Sequence, residues 1–272
     1  MSYRISIFVI LVALFAADDA LAQRDFLPTD TEWYQWPEYC RVRYGGDRAG
    51  QNSKFHSMIT PAQTAALKAS IGEQAYYYLH HHCYGVGHYF RAQAATTPQV
   101  RSHELQRALS ESGEALMRTP KTNRMYAEIA TFLTRVQWDA NQKDAAFDLA
   151  ESIIKEQPKN ERGYLVKARL QRQTGKLQDA VATLTEGNTQ TEGKSAEIHY
   201  FLGLFYVALD DFPHAIEHAQ QAYALGHPLP GLRNQLQAAG HPLPPAPPAA
   251  TPQEPAADTP QPPAAQTPQQ QE

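Results

Sequence analysis

The residues best equipped for chemistry lie in one stretch, Tyr76-Tyr77-Tyr78-Leu79-His80-His81-His82-Cys83-Tyr84-Gly85-Val86-Gly87-His88-Tyr89-Phe90-Arg91. Four of the chain's 11 histidines fall within the nine positions 80–88. On a helix, His80, Tyr84 and His88 share one stripe at i, i+4 and i+8, with His81 one turn above Tyr84-Gly85. Neutral imidazoles beside tyrosines suit Zn²⁺ or Cu²⁺, and an unpaired Cys83 would add a thiolate. One expectation is therefore a metal-binding protein centred on His80, His81, His82 and His88. The other is an aromatic core in which Gly85 and Gly87 admit a close neighbour and the imidazoles bond to backbone or to tyrosine. The second is favoured, because His-Glu-x-x-His and Cys-x-x-Cys spacings are absent. It requires no cofactor. Arg41, Arg43 and Arg91 would then gather near the same junction as an anion or carboxylate clamp.

No other group of residues offers a catalytic set. His214 and His218 stand one turn apart with Glu217 between them, a pair that on a repeat's second helix faces solvent more often than metal. Asp139, Asp144 and Asp148 have no spacing that marks an acid–base pair. Ser53 and Ser57 near His56 lack a nucleophile elbow, and no glycine-rich phosphate loop follows a strand. The expectation is a protein that is not an enzyme.

Residue types at the amino end point to export. Arg4 supplies a positive start, Ile5 to Ala17 is a run of 13 residues that is apolar but for Ser6, and Ala20-Leu21-Ala22 offers small residues for cleavage. Thirteen residues fall short of the roughly 20 that span a bilayer, so a signal peptide over 1–22 and a mature start at Gln23 are expected, with no membrane span in the mature chain. The compartment would be the periplasm. Cys40 and Cys83 are the only cysteines. An oxidising compartment favours their pairing over two separate buried thiols. The whole chain of 272 residues carries a net charge of -4, which argues against a nucleic-acid binder.

Positioning of all these residues falls to helices. Residues 23–60 show no sustained helical period and read as an irregular arm whose Trp33 and Trp36 need an apolar platform. Thr60-Pro61 is a helix start, with helical material expected to about Ala95 and weak points at Gly85 and Gly87. Thr97-Pro98 is a second start for a helix ending near Thr119-Pro120. Residues 61–120 thus form a divergent hairpin. Beyond it, Pro158, Asn160, Tyr164, Ala168, Gly175, Leu177, Ala180 and Leu184 align with a unit starting 35 residues later that holds His199, Leu202, Gly203, Tyr206, Asp210, Phe212, Ala215, Ala219 and Ala222. A looser unit with Leu133, Asn141, Ala146, Ala150 and Ile153 precedes them by 34 residues. The period is that of a two-helix unit.

This pattern resembles the tetratricopeptide repeat family, most closely at Leu202-Gly203, Tyr206, Ala215 and Ala222. Ala219 stands where the family usually has an aromatic and His199 where it often has Trp. The resemblance implies an all-α solenoid of stacked hairpins over 121–240, ended by a capping helix from Leu229 to Ala239. It also implies a scaffold that docks a peptide or protein partner of the cell envelope in a groove made by first helices. Tyr164, Lys167, Gln171, His199 and Tyr206 are its candidate groove residues. From 241 to 272 the chain holds 11 prolines among Ala, Gln and Thr, a composition expected to stay disordered.

Overall fold

A computed structural model describes residues 28–46 and 50–243, so the expected signal peptide and nearly all of the proline-rich tail lie outside the described residues. Among the described residues there are twelve α-helices, one short 3₁₀ turn at His56–Met58 and no strand. In chain order the helices are α1 (Asp30–Gln35), α2 (Glu38–Gly45), α3 (Pro61–Ile71), α4 (Glu73–Ala94), α5 (Pro98–Arg118) and α6 (Arg124–Asp139). They continue as α7 (Lys143–Glu156), α8 (Glu161–Gln173), α9 (Leu177–Gln190), α10 (Ala196–Ala208), α11 (Phe212–Ala224) and α12 (Gly231–Ala238). The chain is all-α and built from consecutive antiparallel pairs.

The N-terminal arm is more regular than its sequence period suggests. Thr29 and Glu32 form a reciprocal capping box that starts α1, and Pro37 opens α2. Both helices are too short, at 6 and 8 residues, for a hydrophobic period to emerge. Their aromatics find the platform they need. Trp33 stacks on Phe55 with ring centroids 4.3 Å apart, Trp36 meets Tyr44 edge-on, and Trp36 lies against the bare backbone of Gly87. The bond between Cys40 and Cys83 fastens α2 to α4 with the Cα atoms 5.3 Å apart.

Residues 61–120 hold three helices. Thr60 and Gln63 cap α3 as expected, yet that helix stops at Gly72, whose φ of +80° only glycine adopts without strain. Gly85 and Gly87 do not interrupt anything: both lie inside α4, and a Cβ at Gly85 would collide with Ser112 and the Ala108 carbonyl of α5. The hairpin is α4 with α5, the latter capped by Thr97.

Three hairpins follow, α6/α7, α8/α9 and α10/α11. Their first helices are capped by Asn123, Asn160 and Ser195. Each turns into its second helix through one residue in the left-handed region, Asn141, Gly175 and Asp210, at offsets of 34 and 35 residues. The small residues of the repeat are the ones that vanish from the surface: Ala146, Ala150, Ala168, Ala180, Ala215, Ala219 and Ala222 are all buried. A Cβ at Gly203 would stand 2.5 Å from Leu232 Cδ2 of α12 and 3.4 Å from the Ala215 carbonyl. Each core is shared by a hairpin and the first helix of the next, as with Ala127, Ala146, Ile153 and Leu170. The last is closed by Leu232 and Leu236 of α12, the expected cap.

Hydrogen bonds also step from unit to unit along one edge. Lys121 pairs with Glu156 at 2.6 Å, Gln157 donates to the carbonyls of Lys121 and Asn123, and Ser195 donates to Glu161.

Replacing Gly203 with Leu should cost about 1–3 kcal/mol by overpacking the junction with α12, measured by urea unfolding. A loss below about 0.5 kcal/mol would place Gly203 outside a tight interface. Replacing both Cys40 and Cys83 with Ala should cost about 3–4 kcal/mol. Amide exchange should then rise in 28–46 before it rises in α6 to α12; uniform loosening would contradict a local clasp.

Candidate partner-binding face

Successive first helices touch one another, α4 with α6, α6 with α8 and α8 with α10, while second helices have no comparable mutual contact. Each second helix packs instead on its own partner and on the next first helix. A layer whose members touch at every step is the inner layer of a curved stack. The first helices therefore make the continuous face on which an extended partner would lie.

The residues expected to line that face are mostly consumed by packing. Tyr164 is 1% exposed, its ring rests on the bare backbone of Gly187, and its hydroxyl donates to the Pro158 carbonyl. His199 is buried, with Nδ1 2.9 Å from Nδ1 of His218 and Nε2 3.2 Å from the Gly193 carbonyl. Tyr206 stacks between His214 and His218, and Gln171 is buried. Lys167 turns outward to Glu151 of α7 at 3.1 Å. Positions 164, 167 and 171 share the stripe that faces neighbouring helices, and the inner face is the next stripe round the helix.

The arginine clamp does not assemble. Arg43 is buried against α4, where its guanidinium donates to the carbonyls of Tyr76 and Tyr77 and lies over the Tyr76 ring. Arg91 pairs with Glu32 at 2.7 Å. Between Tyr76 and Arg91 the helix rises roughly 22 Å, far too much for one anion to bridge. Arg41 stays half-exposed on α2.

The four histidines likewise diverge. His80 faces the Tyr77 carbonyl and the Tyr84 ring. His81 and His88 reach α5, each with Nδ1 2.7 Å from a carboxylate, Glu111 and Glu104 respectively. His82 is fully buried. The sulfur of Cys83 is committed to the disulfide. Among the described residues no three His, Cys, Asp or Glu side chains are placed to hold one ion, so the metal reading lacks a ligand set.

Other side chains occupy the inner face. His82 Nε2 lies 3.1 Å from Tyr39 Oη, Tyr39 donates to Glu128 at 3.4 Å, and Glu128 accepts Arg162 at 2.7 Å. With Tyr39 donating onward, His82 donates from Nε2. Its bare Nδ1 lacks a partner, consistent with that tautomer. This chain of bonds links α2, α4, α6 and α8. Burial, reinforced by the Glu128 carboxylate, pushes the Tyr39 phenol far above its ordinary range. Further along, Tyr89 and Gln93 donate to Asp139 at 2.8 and 3.0 Å, with Phe132 packed edge-on against both Tyr89 and His82. Burial first, then Asp139, pushes the Tyr89 phenol up to about 12.

Beside them stand Arg135 on α6 and Arg169 on α8, 34 residues apart and so at the same place in consecutive units. Arg169 is half-buried. Burial, and next the like charge of Arg135, hold its guanidinium below the ordinary arginine range. Arg172, one turn on, lies over the Phe205 ring. The acids of this face, Glu128 and Asp139, are already engaged. By contrast a cleft of about 910 Å³ sits at the loop edge among Lys159, Glu161, Glu192 and Lys194, whose charges balance.

No protein-family model matches the chain, and no curated protein matches it. Among solved structures it is similar to the crystal structure of MamA, at 15% identity over 51% of this chain and 80% of that one, with a TM-score of 0.40. It is similar to TTC0263, a thermophilic tetratricopeptide protein of Thermus thermophilus, at 21% identity over 51% and 76% with a TM-score of 0.41. MamA 41-end from Desulfovibrio magneticus RS-1 compares at 14% identity over 70% and 96%, with a TM-score of 0.41. These likenesses transfer no residue role.

Burial depresses His82 from 6.5 to about 3. Between those values the unfolded chain holds a proton the folded chain lacks. This contribution is therefore complete above about pH 6.5 and is lost toward pH 3, at up to about 1.4 kcal/mol per pH unit. Urea unfolding at pH 7.5 and pH 5 should show that slope, and His82→Phe should flatten it. An equal slope in both proteins would assign the acid sensitivity elsewhere.

Proposed function

We propose that this protein is a non-catalytic scaffold that docks a peptide segment or protein partner of a cell-envelope assembly along the inner face of its first helices. The observation that carries this reading is the continuous contact of α4, α6, α8 and α10, which leaves one unbroken surface crossing four hairpins. Stacked hairpins of tetratricopeptide type generally act by offering such a surface. The leader-like residues Met1 to Ala22 and the buried Cys40–Cys83 bond support a periplasmic setting, since disulfides persist in oxidising compartments.

A photo-crosslinking side chain placed at Arg172 on α8 should trap a discrete partner in intact cells. The same group at Gln178, exposed on α9, should trap none. Equal trapping from both helices, or trapping from α9 alone, would refute an inner docking face. Protein recovered from those cells should begin at Gln23 and release with the periplasmic contents; retention of residues 1–22 in the cytoplasm would refute the compartment.

A further inference from the structure

We infer that the pair His199 and His218 is an acid-sensitive latch, which closes the last hairpin while its imidazoles carry one charge or none and opens that hairpin when both are protonated. The geometry assigns each ring hydrogen. His199 of α10 is buried, and its Nε2 lies 3.2 Å from the Gly193 carbonyl, a group that only accepts. Nε2 therefore carries the hydrogen, and Nδ1 of the neutral ring is bare. That bare atom lies 2.9 Å from Nδ1 of His218 on α11, so His218 is the donor. Two bonds in series thus run from α11 through α10 to the turn between α9 and α10.

One added proton has a place. Nε2 of the half-buried His218 takes it without disturbing either bond, and the link between the rings becomes charge-assisted. A second proton has only Nδ1 of His199, the nitrogen already accepting. Its arrival sets two N–H groups head to head across 2.9 Å and brings two cations together, so the rings part. On α11 the pair is faced by Glu217 and by His214, itself held by Asp211. On α10 Tyr206 lies with its ring parallel to His218, while Glu197 turns to His227. In the α9–α10 turn Lys194 and Glu192 pair with each other. Glu217 favours a charged His218, but burial, and next His199, outweigh it and hold His218 below its ordinary range. Unfolded, both imidazoles take a proton below about pH 6.5, whereas the folded pair resists the second; the latch therefore contributes fully above that pH and is lost as pH falls.

Helix α12 packs on both α10 and α11, so opening the latch reaches the last inner helix and its cap and leaves the earlier hairpins standing. The inference does not depend on where a partner docks.

Amide exchange of the full chain at pH 7.5 and pH 4.5, corrected for the intrinsic effect of pH, tests this. In acid, exchange in α10 and α11 should rise by about tenfold or more relative to α7 and α8. His218→Asn, which donates without titrating, should remove most of that rise, and His214→Asn, outside the pair, should keep it. Equal acid responses of the parent and H218N in residues 196–224 would overturn the latch, as would loosening of α7 and α8 as large as that of α10 and α11. Ring-nitrogen NMR of the parent protein supplies a reading free of any variant. The two rings should titrate in two separated steps, with Nδ1 of His199 the last to take a proton. Coincident titration of both rings near pH 6.5 would overturn the assignment.

Discussion

Two helices can approach unusually closely only where the side chains at the crossing are small, and most of this molecule follows from that restriction. Ala146 and Ala150, Ala168 and Ala180, and Ala215, Ala219 and Ala222 are buried at the crossings. Gly203 leaves a hollow that Leu232 fills, and Gly187 leaves one for the ring of Tyr164. Dispersion at such close approach is summed over many atoms, so each alanine matters less for its own area than for the contacts it permits. The same restriction sorts helices into layers. A second helix wedged between its partner and the next first helix holds successive first helices in touch, and that contact makes the inner face continuous.

The N-terminal module meets the stack by different means. Its short helices have little surface of their own to bury, so aromatic rings and one covalent bond replace length. The conspicuous histidines serve this junction. His81 and His88 join α4 to α5 through Glu111 and Glu104, seven residues apart on each helix, on either side of the close approach at Gly85. His82 works through Tyr39 and Glu128 to reach Arg162, so a polar thread runs from the disulfide-bonded module into the second repeat. Such threads couple elements that are far apart in the chain.

Much of this architecture was legible in the residues. Thr60-Pro61 and Thr97-Pro98 start helices where their chemistry says they should, and the recurring alanines locate the repeat and its phase. The binding face was not legible, for a reason built into the repeat itself. The side chains that stand out in the repeated pattern, such as Tyr164, His199 and Tyr206, are held in packing against neighbouring helices and rings. Positions on the inner face differ between units: Glu128 answers to Arg162, and Arg135 and Arg169 answer to Leu204. The short helices α1 and α2 escaped notice because 6 and 8 residues cannot display a period. The stop at Gly72 depends on a dihedral, whereas Gly85 and Gly87 are needed for their size.

The final helix has a meaning beyond covering apolar atoms. A stack of like units presents at its open end the very surface that accepts one more unit, and nothing in such a surface distinguishes the next hairpin of the same chain from that of a neighbour. By sinking Leu232 into the space above Gly203 and setting Leu236 over Ala219 and Ala222, α12 occupies that acceptor with a shape that offers no successor. Its eight residues cover the surface on which a further hairpin would otherwise stack.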